Sequence, residues 1–267
     1  MTLHIQVSKT LATITIAWGV YVKLVTAFAF LFVSTISIAQ PLTLEDYNWE
    51  LTDIAAKGLD RDSLFNRMDR KFVRPNQSIC SNRAHMWVND FKQKYNLNTA
   101  KVFMFYTQKE DNNGPFARTW WYHVAPAVNE KGKLWVMDAG FPGRGGINSA
   151  LTLQEWLKDF AGSANCKEIL ASDTDLIEWI FTERAFPKVT NYGAYDCYYR
   201  ITPHTFWIPN TLAENLLGRD SKGQPVRTER PEMDKQELYQ ACLEATSTKL
   251  GWALGSSKKK CKEYVGI

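Results

Sequence analysis

Acidic side chains are missing from the first 39 positions, where Lys9 and Lys23 carry the only formal charges. The same stretch closes with the uncharged run LVTAFAFLFVSTI (24–36) and the small-x-small tripeptide Ser37-Ile38-Ala39. A basic n-region, a short apolar core and small residues at the cut are the parts of a secretory signal. Residues 1–39 are therefore expected to be a signal peptide, with Gln40 the mature start. The alternative, a membrane anchor, is disfavoured. The run falls short of the ~20 apolar residues that a spanning helix needs, and Lys23 cuts it off from the apolar residues before it.

An excess of charge is missing too. Lys and Arg number 32 against 28 Asp and Glu, for a formal net charge of +4, and two of those cations lie in the leader. So nearly neutral a mature chain gives no reason to expect nucleic acid, and Lys258-Lys259-Lys260 with Lys262 reads as a solvated charged end. No repeat or low-complexity segment is present. No Cys/His spacing suggests zinc. GRGG (143–146) follows a predicted strand but lacks the Lys-Ser/Thr of a phosphate loop, which leaves a flexible loop near a site. The expectation is an exported (secreted or periplasmic) globular monomer. It needs no cofactor or metal, does not bind nucleic acid, and has no stable membrane association after signal cleavage. Residues 40–267 form one domain.

Cysteines are few, and their number is odd. An exported, oxidised chain normally pairs its cysteines, and five leave one over. Cys166, Cys197, Cys242 and Cys261 stand in the later half, and Cys80 is alone in the earlier half. An odd cysteine in a secreted protein signals an intermolecular bond or a reactive thiol. Four cysteines allow three pairings. Cys166–Cys197 with Cys242–Cys261 is favoured because each bond joins neighbours along the chain.

The chain pattern reads as α+β, with helices before and after a run of adjacent strands. Residues 45–70 suggest two helices broken at Gly58, and 100–107, 118–128 and 133–138 suggest strands. Residues 152–162, 210–218 and 232–250 read as helices and 195–202 as a strand, while DLIEWIFTE (175–183) fits either. GRDSKGQPVRTERP (218–231) is a polar loop and the plausible hinge. From Cys80 onward, Ala84, Trp87, Val88, Phe91 and Tyr95 repeat with a helical period. Stepping back four residues from Ala84 puts Cys80 at the first turn of that helix.

A helix N-terminus offers unpaired N–H groups and partial positive charge. Both favour a thiolate, and the N–H groups can hold an oxyanion. Such a thiol needs a base, usually histidine, and the chain has four, one of them in the leader. His85 points well off the cysteine's face and His204 lies among loop signals. His123 sits mid-strand in WWYHVAPAV. Asn129-Glu130-Lys131-Gly132 suits a type I turn. If it closes a four-residue hairpin loop, Val128 faces Lys133 and His123 faces Asp138. Opposed residues share a face with Cβ atoms ~5 Å apart, so Asp138 can orient the imidazole. Taken singly, each residue is more often structural: a strand histidine, a strand-end Asp that caps a turn, a buried cysteine. Together, Cys80, His123 and Asp138 form a candidate nucleophile, base and orienter. Trp120, Trp121 and Tyr122 are candidate cleft walls and substrate contacts.

DSLFN, CSNRAHMW, WWYHVAPAV, VMDAGF and CYYRITPHTFWIPNTL, in this order, resemble protein-glutaminase, a family of secreted bacterial protein deamidases. The likeness spans roughly residues 60–215. The resemblance implies a papain/transglutaminase-like core, with the nucleophile at a helix N-terminus packed on an antiparallel sheet. It implies Cys80 as nucleophile, His123 as base and acid, and Asp138 as third member. It also implies protein or peptide substrates bearing glutamine, deamidated to glutamate through a thioester. The family has more cysteines and a long inhibitory pro-segment, whereas little sequence separates Gln40 from the first predicted helix. The tail from 218 has no counterpart in it. Thiol peptidase or transglutaminase chemistry uses the same triad, and a non-catalytic exported binding module would bury Cys80 in its core.

Overall fold

The computed structural model describes residues 42–70, 79–106, 122–139, 149–161, 165–182, 195–226, 230–246 and 254–267. The expected signal peptide, Trp120, Trp121 and nearly all of the glycine-rich loop after Asp138 lie outside them.

AKVFMFY, an unbroken apolar run but for Lys101, has water on neither face: Ala100, Val102, Phe103, Met104 and Phe105 are all buried. A short continuous run of this kind suits a strand covered on both sides. It forms β3 (Ala100–Tyr106), flanked antiparallel by β4 (Tyr122–Glu130) and β8 (Cys197–Pro203). β5 (Lys133–Val136) and β6 (Leu151–Thr152) extend the sheet beyond β4, and β7 (Cys166–Glu168) extends it beyond β8. The order is β6-β5-β4-β3-β8-β7, antiparallel except where β7 runs parallel to β8. The first strands, β1 (Thr43–Leu44) and β2 (Trp49–Glu50), pair separately. The fold is α+β, as expected.

The β4–β5 hairpin departs from the expected register. Glu130 pairs with Lys133 and Val128 with Trp135, a slip of two residues. Lys131 and Gly132 both take positive φ, 54° and 77°. That is the two-residue turn whose twist matches antiparallel strands, with glycine at its second position. The Asn129 carboxamide accepts the Gly132 amide at 2.9 Å, and Asp53 accepts that of Lys131 at 3.0 Å. These bonds favour the tighter loop over the four-residue one. Because side chains alternate with period two, a two-residue slip leaves every residue on its expected face.

α2 (Cys80–Tyr95) starts at the expected residue and is buried around most of its circumference at its N-terminal half. Its dominant contacts are with β4 and with a later helix, α6 (Lys235–Thr246). Residues 45–70 do not give two α-helices. Short 3₁₀ turns at 45–47 and 55–57 precede α1 (Arg61–Arg67), and Gly58 ends the second turn in the left-handed region. α3 (Leu153–Ala161) and α5 (Pro209–Leu217) fall where expected, and residues 174–182 resolve as helix α4. The lysine-rich end is helical, α7 (Leu254–Val265), with Cys261 and Val265 turned inward. Tyr264 on α7 donates its hydroxyl to Met86 O at 2.8 Å, and lies 2.9 Å from Asp90 Oδ1, both on α2. Disulfides join Cys166 to Cys197 across β7–β8 and Cys242 to Cys261 across α6–α7, the favoured pairing.

Candidate active site

Cys80 is the free cysteine, and its side chain is almost entirely buried. Ile79 ahead of it is extended and makes no side-chain cap. The first intrahelical bond runs from Arg83 N to Ile79 O. The amides of Cys80, Ser81 and Asn82 therefore precede the helical ladder, where a helix offers donors to an anion.

His123 on β4 meets Asp138 just beyond β5, with Nε2 donating to Oδ2 at 2.6 Å and both side chains buried. The ladder continues through Met137, whose amide donates to Pro126 O at 2.7 Å, so Asp138 comes opposite Ala125. It is a diagonal neighbour of His123 on the same face, within reach of a carboxylate and an imidazole. Since Nε2 serves Asp138, Nδ1 is the ring nitrogen left for sulfur chemistry, and His123 and Cys80 influence each other electrostatically.

The electrostatics follow from burial and mutual charge. Burial would raise the Cys80 thiol, but the hydrogen bond and charge of His123 outweigh it. Arg83 and the Val124 amide add to them, and the thiol ends below its ordinary value. Burial would likewise lower His123. Attraction and hydrogen bonding to Asp138, then to Cys80, instead raise it to about 9. Asp138 is held below the usual carboxylate range against burial, by His123 first, then by Trp156 and Arg83. The three shifts agree in sign: each favours the thiolate, imidazolium and carboxylate forms of the set. Such a set can attack a carbonyl carbon and return a proton to a leaving group.

Other side chains surround this set, and the sequence did not single out Trp156 or Arg83 among them. Trp156 of α3, fully buried, donates Nε1 to Asp138 Oδ2 at 3.0 Å and stacks on His123 with ring centroids 5.7 Å apart. An amphipathic helix is what sequence shows there, and the target of its indole is a matter of packing. Arg83 is buried and interacts with the charges of both Cys80 and Asp138. Tyr122 donates to Ser81 Oγ at 3.1 Å, beside the nucleophile. Trp207 donates to Asn82 Oδ1 at 3.0 Å, and Asn82 donates to Glu244 at 2.9 Å. His85 turns away from Cys80, as expected, toward Lys101. Among the described residues no group of three or more His, Cys, Asp or Glu is arranged to hold a metal.

Comparison with known proteins bears on the same segment. Residues 59–160 match the family model described as glutaminase. Among solved structures, the chain is similar to the NMR structure of protein-glutaminase from Chryseobacterium proteolyticum. The identity is 15%, the alignment covers 76% of this chain and 94% of that one, and the TM-score is 0.37. No curated protein matches. The matched stretch, residues 59–160, holds Cys80, His123 and Asp138, and over it the chain is similar to the glutaminase family.

Proposed function

We propose that this protein is an exported cysteine amidohydrolase that deamidates protein-bound glutamine side chains, releasing ammonia. The observation that carries the reading is the buried Cys80–His123–Asp138 chain, with a lowered thiol beside a raised imidazole. The glutaminase match over the same residues supports the substrate.

In this reading the Cys80 thiolate attacks the carboxamide carbon. The oxyanion is held by the Cys80 amide at the start of α2, a donor preorganised for the developing charge. Collapse breaks the C–N bond, and His123 gives its Nδ1 proton to the departing ammonia. Neutral His123 then takes a proton from water as that water attacks the thioester. The thiolate leaves, glutamate forms, and the imidazolium is restored. Asp138 keeps its charge throughout and fixes the ring so that Nδ1 faces sulfur.

Substrate arrives as an uncharged peptide segment. Tyr122 supplies aromatic wall near the nucleophile, beside Ser81; Trp120 and Trp121, the other proposed contacts, lie outside the described residues. Arg83 is engaged by Cys80 and Asp138 and is not placed to hold an α-carboxylate. Incubation with a glutamine-rich protein should release ammonia, with peptide mass spectrometry locating Gln-to-Glu exchange. Absence of exchange in such a protein, while Cys80 alkylates rapidly, would leave the thiol chemistry intact and reject the substrate.

A further inference from the structure

Trp156 makes two contacts with the site, on two different groups, and uses both chemical faces of one indole. Its N–H ends on Asp138 Oδ2 at 3.0 Å, the same oxygen that takes His123 Nε2 at 2.6 Å. Its ring lies over the imidazole with an interplanar angle of 30°. Trp156 sits on α3, outside the sheet and outside α2, and is fully excluded from water. We propose that Trp156 is a positioning residue that sets the charge state and ring orientation of the His123–Asp138 pair. The proposal rests on the triad reading above.

The chemistry is specific to the donor. An indole N–H can only donate, so Oδ2 must accept from it in every protonation state of the pair. An oxygen that accepts from both Trp156 and His123 does not itself carry a proton, and two donors on one oxygen favour the ionised Asp138 with His123 as its donor. The imidazole is thereby bound to the tautomer in which Nδ1 serves Cys80. The stacked ring also covers one face of His123 and resists its rotation.

The sign of the effect on titration follows. The Trp156 bond is stronger when Asp138 faces neutral His123 than when it faces imidazolium, because the carboxylate charge is then unshared. Removing the donor destabilises the neutral-histidine state more, so the His123 pKa rises. The other charged groups facing this pair are Cys80 and Arg83 on α2, with Tyr122 on β4 beside Cys80. None of them is altered by substituting Trp156.

The test uses Trp156→Phe, which keeps an aromatic ring for the stack and deletes the donor. The pH dependence of Cys80 alkylation by iodoacetamide is read alongside glutamine deamidation. Deamidation should fall about ten- to a hundredfold, as loss of an orienting partner does elsewhere. The alkaline transition near pH 9 should move upward. In case the variant does not fold, the indole ¹⁵N–H resonance of Trp156 in unmodified protein serves as a second readout. It should shift with the same transition and disappear from that position once Cys80 is alkylated. An unmoved transition in folded Trp156→Phe, or an indole resonance blind to that titration, overturns the proposal. An unreactive Cys80 in the unmodified protein instead overturns the triad reading beneath it.

Discussion

Lys101 Nζ lies 2.6 Å from His85 Nδ1 and also donates to Phe206 O, with both side chains fully buried. A neutral amine has two N–H donors, and two acceptors meet it here. Burial depresses both groups, Lys101 and His85 alike well below their ordinary values. The unfolded chain therefore binds protons that the folded one refuses. Below an unfolded Lys value of about 10.4, this costs stability as pH falls, by about 1.4 kcal/mol per pH unit for one proton. Lys101→Met should remove that slope. Urea denaturation at pH 7, 8 and 9 should show the difference between variant and parent changing by about this amount per unit. A constant difference would mean that Lys101 stays charged.

Cys80→Ala should fold with unchanged melting temperature and lose deamidation by roughly 10⁴-fold or more, since members of such a set act as a unit. His123→Ala should match it in rate but not in stability. It leaves Asp138 buried without the imidazole, a loss of about 3–5 kcal/mol by analogy with broken buried pairs. Calorimetry beside an ammonia assay separates the two effects. Residual turnover in Cys80→Ala would remove the nucleophile assignment.

Asp138→Asn keeps an oxygen that can accept from both Trp156 and His123 but removes the charge. The His123 pKa should drop from about 9 toward its ordinary value, so the alkaline limb of Cys80 alkylation should move down. Turnover should fall by roughly 10³- to 10⁴-fold. The folded protein should also lose the stability that the raised His123 contributes, which is complete below about pH 6.5 and disappears as pH rises through 9. An unchanged alkaline limb would show that another group sets the imidazole.

Free glutamine should be a poor substrate. Burying an unpaired α-carboxylate and α-ammonium costs several kcal/mol, and Arg83 is already committed inside the site. kcat/KM should rise from free glutamine to an N- and C-blocked glutaminyl peptide, and again to an unfolded glutamine-rich protein. Equal efficiency on the free amino acid would defeat the protein-substrate reading.

Local pattern made much of this legible. The start of α2 at Cys80, the strand around His123 and the disulfide pairing follow from short-range periodicity and chain spacing. The hairpin was legible in face but not in register. Turn preference weighed Asn129 and Gly132 alone, while the tighter loop also depends on Asp53, distant in sequence. Trp156, Arg83 and the Lys101–His85 pair were not legible as site or core chemistry. A buried lysine in an apolar strand looks like a mistake until its partners on α2 and near Phe206 are brought to it by the fold. α7 was missed because a lysine run hides the two inward positions, Cys261 and Val265, that hold the helix down.

Tyr264 reaches back to Met86 and Asp90 over sequence separations of 178 and 174 residues. The helix that presents the thiol is therefore fastened by residues far downstream of it in the chain, and Cys242–Cys261 locks that fastening in place. A growing chain holds Cys80, His123 and Asp138 long before it holds the α7 contact to α2. Timing is thus built into the order of the chain, since α2 is made well before the tyrosine that steadies it.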